Sequence, residues 1–446
     1  MTDATDIAPK TGSLLHTDAR TRRRNAAETR FRAYGIAALA LGAVFLVILL
    51  VTIVARGVPA FTQTFIAIEV PLSEDVLDPD GTRDQATIEK ITTLRYGGIV
   101  EGALAETLAG QGIETEIDPG ALDQILSSGA ATQIRDLVVG DVTLIGTTVR
   151  FEVLASSRVD GYLKGRVTRE SLARDRNLSP QHLELIDKMR DAGLVERRFN
   201  LAFITGADAS ESRPEQAGIG VAMIGSFFMM LVVLILSLPI GVAASIYLEE
   251  FAPQNRFTDL IEVNISNLAA VPSIVFGILG LAIFIQMAHL PQSAPLVGGL
   301  VLTLMTLPTI IISTRASLKS VPPSIRDAAL GVGASKMQSV FHHVLPLAMP
   351  GILTGTILGL AQALGETAPL LLIGMVGYVA TNYPGGVAEG FLSPNSAMPA
   401  QIYEWAKRAD PAYYERAWGG IVVLLVFLMT MNLIAILLRR RFERRW

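Results

Sequence analysis

The stretch Ser320-Val-Pro-Pro-Ser-Ile-Arg-Asp-Ala-Ala-Leu-Gly-Val-Gly-Ala-Ser-Lys-Met-Gln-Ser-Val-Phe-His-His-Val-Leu-Pro-Leu-Ala-Met-Pro350 joins two long apolar runs, at about 294–314 and 350–376, and is unusually ordered for such a connection. Ser320 suits a helix cap, Pro322 and Pro323 suit a first turn, and Gly331 and Gly333 end that helix before a second begins near Ser335. Two short helices with a glycine elbow are expected. With Arg315, Lys319, Arg326 and Lys336 in or beside it, the elbow is mildly basic. Two roles suit this spacing equally: a projection that docks into a groove on a partner protein, or an amphipathic loop resting on a membrane surface.

On either side, the 446-residue chain gathers its apolar residues into runs at 34–55, 218–247, 263–287, 294–314, 350–376 and 418–438, which predict six membrane spans. Half the residues are hydrophobic and only 17% are charged, against roughly 25% in soluble domains, and the mean hydropathy is +0.44. The run at 34–55 would form about 33 Å of helix, enough to cross a bilayer. It exceeds the roughly 7–15 apolar residues of a signal peptide and follows an Arg-rich tail, so it reads as an uncleaved anchor. Pro239, Pro272 and Pro308 fall within runs and predict kinks.

Between the first and second runs, residues 56–215 carry 26 Asp and Glu against 17 Lys and Arg, with no apolar run long enough to span. This segment reads as a water-exposed α+β domain. Strands are expected at 141–154 and 198–205, and helices at 121–136 and 180–192, the latter opened by Ser179-Pro180. Its Ser, Asp and His residues read as a solvated surface, and 207–216 as a polar connector. Arg20, Arg22, Arg23, Arg24, Arg30 and Arg32 before the first run, and Arg439, Arg440, Arg441, Arg444 and Arg445 after the last, place both ends in the cytoplasm. The elbow then lies inside and the acidic domain outside, while the 249–262 loop is acidic yet inside. The expected division is a basic tail (1–32), an anchor helix (33–55), an extracytoplasmic domain (56–216), a five-helix core (217–438, with the elbow at 318–349) and a second basic tail (439–446).

Within the elbow, Asp327-Ala328-Ala329, then Gly333, then Leu345-Pro346 resembles the "EAA" loop of ABC-importer permeases: Glu-Ala-Ala, three residues, Gly, nine residues, Ile, one residue, Leu-Pro. Asp327 replaces the Glu and keeps its charge; His343 replaces the Ile, with Val344 available as the apolar anchor. Tyr247-Leu-Glu-Glu-Phe-Ala-Pro253, Val271-Pro-Ser-Ile-Val-Phe-Gly277, Ala363-Leu-Gly-Glu-Thr-Ala-Pro-Leu370 and Met398-Pro-Ala-Gln-Ile-Tyr403 are similar to the A-type permease subunits of phosphate importers, over 217–446. The 56–215 domain resembles an insertion found in some bacterial members. This resemblance implies an all-α integral membrane protein of the type I ABC-importer permease fold, six transmembrane helices with an α+β domain between the first two, in the bacterial inner membrane. It implies that Asp327, Ala328, Ala329, Gly333, Ala334, Ser335, Lys336, Leu345 and Pro346 couple the chain to a cytoplasmic ATPase. A second, homologous permease and an extracytoplasmic phosphate-binding protein are the other implied partners, with ATP and Mg held by the ATPase and no cofactor by this chain.

Glu366 is the leading candidate for the transport pathway. It lies 16 residues beyond Pro350, about 24 Å along an ideal helix, and so within the bilayer. A carboxylate there costs about 2.5–3.5 kcal/mol unless it faces a polar cavity or partner. It is either functional or satisfied by a neighbouring helix near the outer interface. Because phosphate is itself an anion, Glu366 would orient a cation or a hydrogen-bond network, or gate the path. The family often has Arg one turn earlier; here Gln362 stands there and would at most hydrogen-bond Glu366 at i, i+4. Ser273 and Thr367 are candidate neutral donors, although most Ser and Thr in spans bond their own helix carbonyls.

What is missing narrows the field. With no cysteine, thiolate metal sites, disulfides and Cys nucleophiles are excluded, and a net charge of −4 provides no global field for nucleic acid. No Gly-Lys dipeptide exists to build a Walker A loop, so ATP hydrolysis must reside in another chain. His16, His182, His289, His342 and His343 show no metal-ligand spacing. The function that the resemblance implies is a permease importing inorganic phosphate by alternating access. Sulfate or molybdate as the cargo, or a membrane-anchored ligand sensor, are the alternatives.

Overall fold

The computed structural model describes residues 19–79, 81–170, 178–375 and 383–442, in two compact units, Met1–Ala55 and Arg56–Trp446. The outermost parts of both basic tails (1–18 and 443–446) and the last residue of the run expected at 350–376 lie outside the described residues. In the first unit, Arg20 to Arg32 form the opening turns of helix α1 (Ala19–Gly57), which continues through the apolar run and is long enough to cross a membrane.

In the second unit the α+β domain is built on an antiparallel sheet of order β2-β1-β3: β1 (Thr62–Pro71), then β2 (Thr148–Leu154) and β3 (Val195–Phe199). Ile66 pairs with Val153 on one side and Val195 on the other. Ile66, Ile68 and Val70 alternate inward with exposures of 0–1%, the period of two that a half-buried strand needs. Helices α2 (Thr93–Gly110), α3 (Ala130–Gly140), α4 (Ser157–Leu163) and α5 (Pro180–Asp191) enclose a core that includes Tyr96, Leu104, Ile134, Val159 and Ile186.

The central strand β1 is absent from the strands expected from sequence, although Ile66, Ile68 and Val70 carry the alternation that marks one. The expected strand at 198–205 ends instead at Phe199: the Asn200 side chain accepts from Phe203 N at 3.0 Å and turns Leu201–Thr205 into a short helix. The helix expected at 121–136 is a 3-10 turn (Pro119–Ile125), a bridge from Leu126 to Ala155, and then α3. The helix expected at 180–192 forms as α5. His182 closes its capping box by accepting from Ser179 N (3.1 Å), and its Nε2 contacts Ala121 O (3.0 Å).

The reading of the domain's polar residues as solvated surface fails at His182, Asp160, Asp208 and Ser127, all buried. Several of them, and parts of the 207–216 segment, pack into a junction with residues 405–416. Asp208 takes two bonds from Arg408 (3.2 and 2.6 Å) and one from Trp405 Nε1 (2.8 Å), which is why it is no free connector. Arg416, 3% exposed, donates to Ala60 O (3.1 Å), Gln63 Oε1 (2.7 Å), Glu215 O (3.0 Å) and Pro214 O (3.3 Å). Lys164 bridges Asp160 Oδ2 (2.7 Å) and Glu415 Oε1 (2.8 Å), and Arg166 pairs with the other oxygen of Glu415. Burial pushes the Lys164 amine down to about 8 and the Glu215 carboxyl upward, although Ser127 donates to Glu215 at 2.5 Å.

The remaining helices form the membrane bundle: α6 (Gly220–Phe251), α7 (Arg256–Ala269), α8 (Ser273–Met287), α9 (Pro295–Lys319), α10 (Pro323–Gly331), α11 (Lys336–Gly365), α12 (Ala368–Leu372), α13 (Val387–Leu392), α14 (Met398–Lys407) and α15 (Pro411–Phe442). With α1, α6, α9, α11 and α15 are long and apolar enough to span. Among the described residues a sixth span requires α7 and α8 together, and these meet at 100°. The run expected at 263–287 is thus not one straight helix. Pro272 lacks an amide donor and biases Val271 away from helical geometry, so the helix stops at Ala269 and restarts at Ser273. Pro239 and Pro308, by contrast, sit inside unbroken helices. Where α6 meets α9, a Cβ on Gly299 would lie 2.5 Å from Val232 Cβ, so the absence of a side chain sets the approach of the two helices.

Candidate functional site

The elbow forms between α9 and α11, differing from expectation in two respects. Ser320 ends α9 instead of capping α10, whose N-cap is Pro322. The second helix is not short: from Lys336 it runs through a π-helical stretch, Val340–Val344, into the long helix that ends at Gly365. Between them Gly333 takes φ +94°, a conformation open to glycine, and the Ser335–Gln338 capping box starts α11.

Asp327, Ala328, Gly333, Ser335 and Lys336 are exposed, Ala334, Leu345 and Pro346 are half-buried, and Ala329 is buried. Val340 and Val344 pack with Ile246, Leu318, Val321 and Ile352 in an apolar cluster beneath the elbow. Val344 is fully buried and His343 exposed, so Val344 occupies the apolar anchor position. Leu330, Val332 and Met337, exposed by 48%, 86% and 57%, leave an apolar crest on the outer side.

Around this cluster lies a set of ion pairs that sequence reasoning did not find. Arg326 grips Glu250 with Nε at 3.1 Å and Nη2 at 2.6 Å from Oε1. Arg315 pairs with Glu249 (3.3 Å) and Glu262 (2.6 Å), and Lys319 with Glu249 (3.6 Å). Lys336 sits 5.3 Å over the Phe251 ring. The acidity of 249–262 is neutralised by the basic residues of the elbow region; the opposite signs of those two stretches were the available signal.

Glu366 does not continue a helix. Gly365 ends α11, Glu366 is extended (ψ 128°), and Thr367 precedes the short α12. The i, i+4 relation to Gln362 is therefore broken; Gln362 is exposed and Glu366 half-buried. Among the described residues no hydrogen bond joins Glu366, Gln362, Thr367 and Ser273. Ser273 opens α8, which packs on α12 so closely that a Cβ on Gly277 would lie 2.7 Å from Pro369 Cα. Two helix breaks, at 270–272 and 366–367, are thus brought to adjoining helices, with Ser273, Glu366 and Thr367 beside them. Among the described residues no group of three or more His, Cys, Asp or Glu forms a metal site.

Residues 226–446, which include the elbow and both breaks, match the family described as binding-protein-dependent transport system inner membrane component. The phosphate transport system permease protein PstA 1 of Mycobacterium tuberculosis is 32% identical over 228 residues, 51% of this chain and 72% of that protein. The chain belongs to this permease family. The permease is also 30% identical to the phosphate transport system permease protein PstA of Haemophilus influenzae over 225 residues, 49% of this chain and 74% of that protein. A solved structure of the MetNI methionine ABC transporter in inward-facing conformations aligns with TM-score 0.38 and 16% identity, over 51% of this chain and 95% of that one. Residues 18–173 of the permease match a domain of unknown function, DUF3333, which takes in α1 and most of the α+β domain but not α5 or β3.

Proposed function

We propose that this permease is a transmembrane subunit of an ATP-driven importer of inorganic phosphate, working by alternating access. The observation that carries the reading is the 32% identity to a phosphate transport permease across 228 residues. In this reading both termini and the elbow are cytoplasmic, and the α+β domain lies outside. A cytoplasmic ATPase receives the apolar crest of Leu330, Val332 and Met337, with Asp327 to Ala329, Gly333 to Lys336 and Leu345-Pro346 shaping the elbow, and holds ATP and Mg itself. A homologous second permease completes the pathway, and an external binding protein delivers phosphate.

Ser273, Glu366 and Thr367 flank the pathway where the helices break, because unwound backbone exposes polar groups that a polar cargo can use. Glu366 acts indirectly, since two anions repel at short range. Gln362 is exposed on α11 and lacks the charge of the family's Arg, which keeps sulfate or molybdate open as a second cargo reading.

The test is uptake of radiolabelled phosphate in a deletion strain complemented with this chain, together with mass spectrometry of what co-purifies. An ATP-binding subunit, a second permease and phosphate uptake that Glu366→Gln lowers are expected. Uptake blocked by sulfate or molybdate would transfer the cargo to those ions, and a chain that purifies with no ATPase would refute the importer.

A further inference from the structure

The ion pairs at the elbow divide in one direction: the carboxylates come from α6 and α7, and the cations from α9 and α10. We propose that the Arg326–Glu250 pair is the strut that delivers elbow movement to the end of α6 and, through α7, to the break at Pro272, making both residues positioning residues of the transport cycle. This rests on the importer reading above.

Arg326 is fixed on both sides of the strut. Its Nε and Nη2 straddle the Glu250 carboxylate, while Nη1 donates to Val321 O (2.8 Å) and Nη2 to Leu318 O (3.0 Å), at the join of α9 and α10. A bidentate pair resists rotation as well as separation. The Glu250 side chain is only 7% exposed, so water and salt screen the pair weakly. The apolar cluster beneath the elbow cannot do the same work, because hydrophobic contact is non-directional and lets one helix slide over another.

From Glu250 the route onward is short, four residues from the end of α6 to the start of α7. Asn255 caps α7 by accepting from Phe257 N and Thr258 N, both at 3.0 Å. Arg315 then holds α7 beside α9 through Glu262 at 2.6 Å and reaches back to Glu249 at 3.3 Å. α7 turns by 100° at Pro272 into α8, and α8 abuts α12 at Gly277 and Pro369, next to Glu366. A displacement of the elbow helix that keeps the Arg326–Glu250 pair intact must carry the end of α6 with it, and α7 is tied to that end. The exposed crest that meets the ATPase lies outside this route, so docking and transmission are separable.

The full chain, reconstituted in liposomes with its co-purified partners and the binding protein, is assayed for phosphate taken up per ATP hydrolysed. Arg326→Gln and Glu250→Gln are expected to keep the ATPase bound and hydrolysing while lowering that ratio by about 2- to 30-fold. Arg326→Lys, which keeps the charge but loses the fork, should fall between, and Arg326→Glu combined with Glu250→Arg should recover part of the loss. An unchanged ratio in both Gln variants overturns the proposal. So does a parallel fall in uptake and hydrolysis that the charge swap does not rescue, since that would mark a purely structural pair. A wild-type chain with no associated ATPase would refute the importer reading itself, and this inference with it.

Discussion

Gly333 is the position where backbone geometry alone should control partner docking. Its φ of +94° is disfavoured for residues with a Cβ, and its amide and the next one bond Leu330 O (3.0 Å) and Ala329 O (3.1 Å) to hold the turn. A Cβ there would meet nothing within 4 Å, so Gly333→Val should cost conformational strain and no steric clash, about 1–2 kcal/mol. That energy falls on the elbow, because the apolar cluster of Val340, Val344 and Leu318 does not include Gly333. If the elbow must keep this shape to bind the ATPase, affinity should fall about 5- to 30-fold with the thermal stability of the bundle unchanged. Gly333→Asn should lose less, because Asn tolerates positive φ. The measurement is ATPase affinity for the full chain in detergent, with unfolding followed on the same samples. Equal losses for Val and Asn would assign the effect to side-chain bulk at the docking face, and wild-type affinity in the Val variant would refute the geometric reasoning.

Arg416→Met removes a guanidinium that serves four acceptors at the junction, and should destabilise the full chain by at least about 3 kcal/mol, two charged hydrogen bonds' worth; unfolding at the wild-type temperature would mean that apolar contacts alone hold the junction. The pH dependence follows from Lys164, whose folded-state value of about 8 lies below that of an unfolded lysine. Below pH 8 it is protonated in both states and the penalty of burying its charge is fully present; as pH rises toward that of free lysine, the folded state has already released the proton. Stability from this group should therefore rise by up to about 3 kcal/mol across that window. Melting temperatures of the wild type and Lys164→Met, compared across the same window, should diverge in favour of the wild type; parallel curves would contradict the assignment.

Much of the elbow was legible because its signals are local. Pro322-Pro323, Gly333 and Ser335 act within one or two turns, and the structure places a helix start, a positive φ and the start of α11 there. Ser320 was misjudged because a serine before prolines suits either end of a helix, and only the length of α9 decides. Glu366 was legible as an unusual carboxylate, but not as the residue at which α11 stops; an apolar run on both sides reads as one helix. The strut was invisible for the opposite reason. Glu250 and Arg326 are 76 positions apart, and each alone looks like an ordinary solvated charge.

By itself, the sequence determined the membrane class, the apolar runs, the α+β insertion and the permease family, because hydropathy and short motifs depend on composition and near neighbours. Tertiary structure alone decided which charges pair, that β1 is the central strand, that Asp208, Ala209, Pro214 and Glu215 are buried at the junction with Arg408 and Arg416, and that α7 and α8 meet at 100°. Each of these depends on groups distant in sequence satisfying one another's hydrogen bonds and charges out of water, and that requirement leaves no periodic trace in the chain.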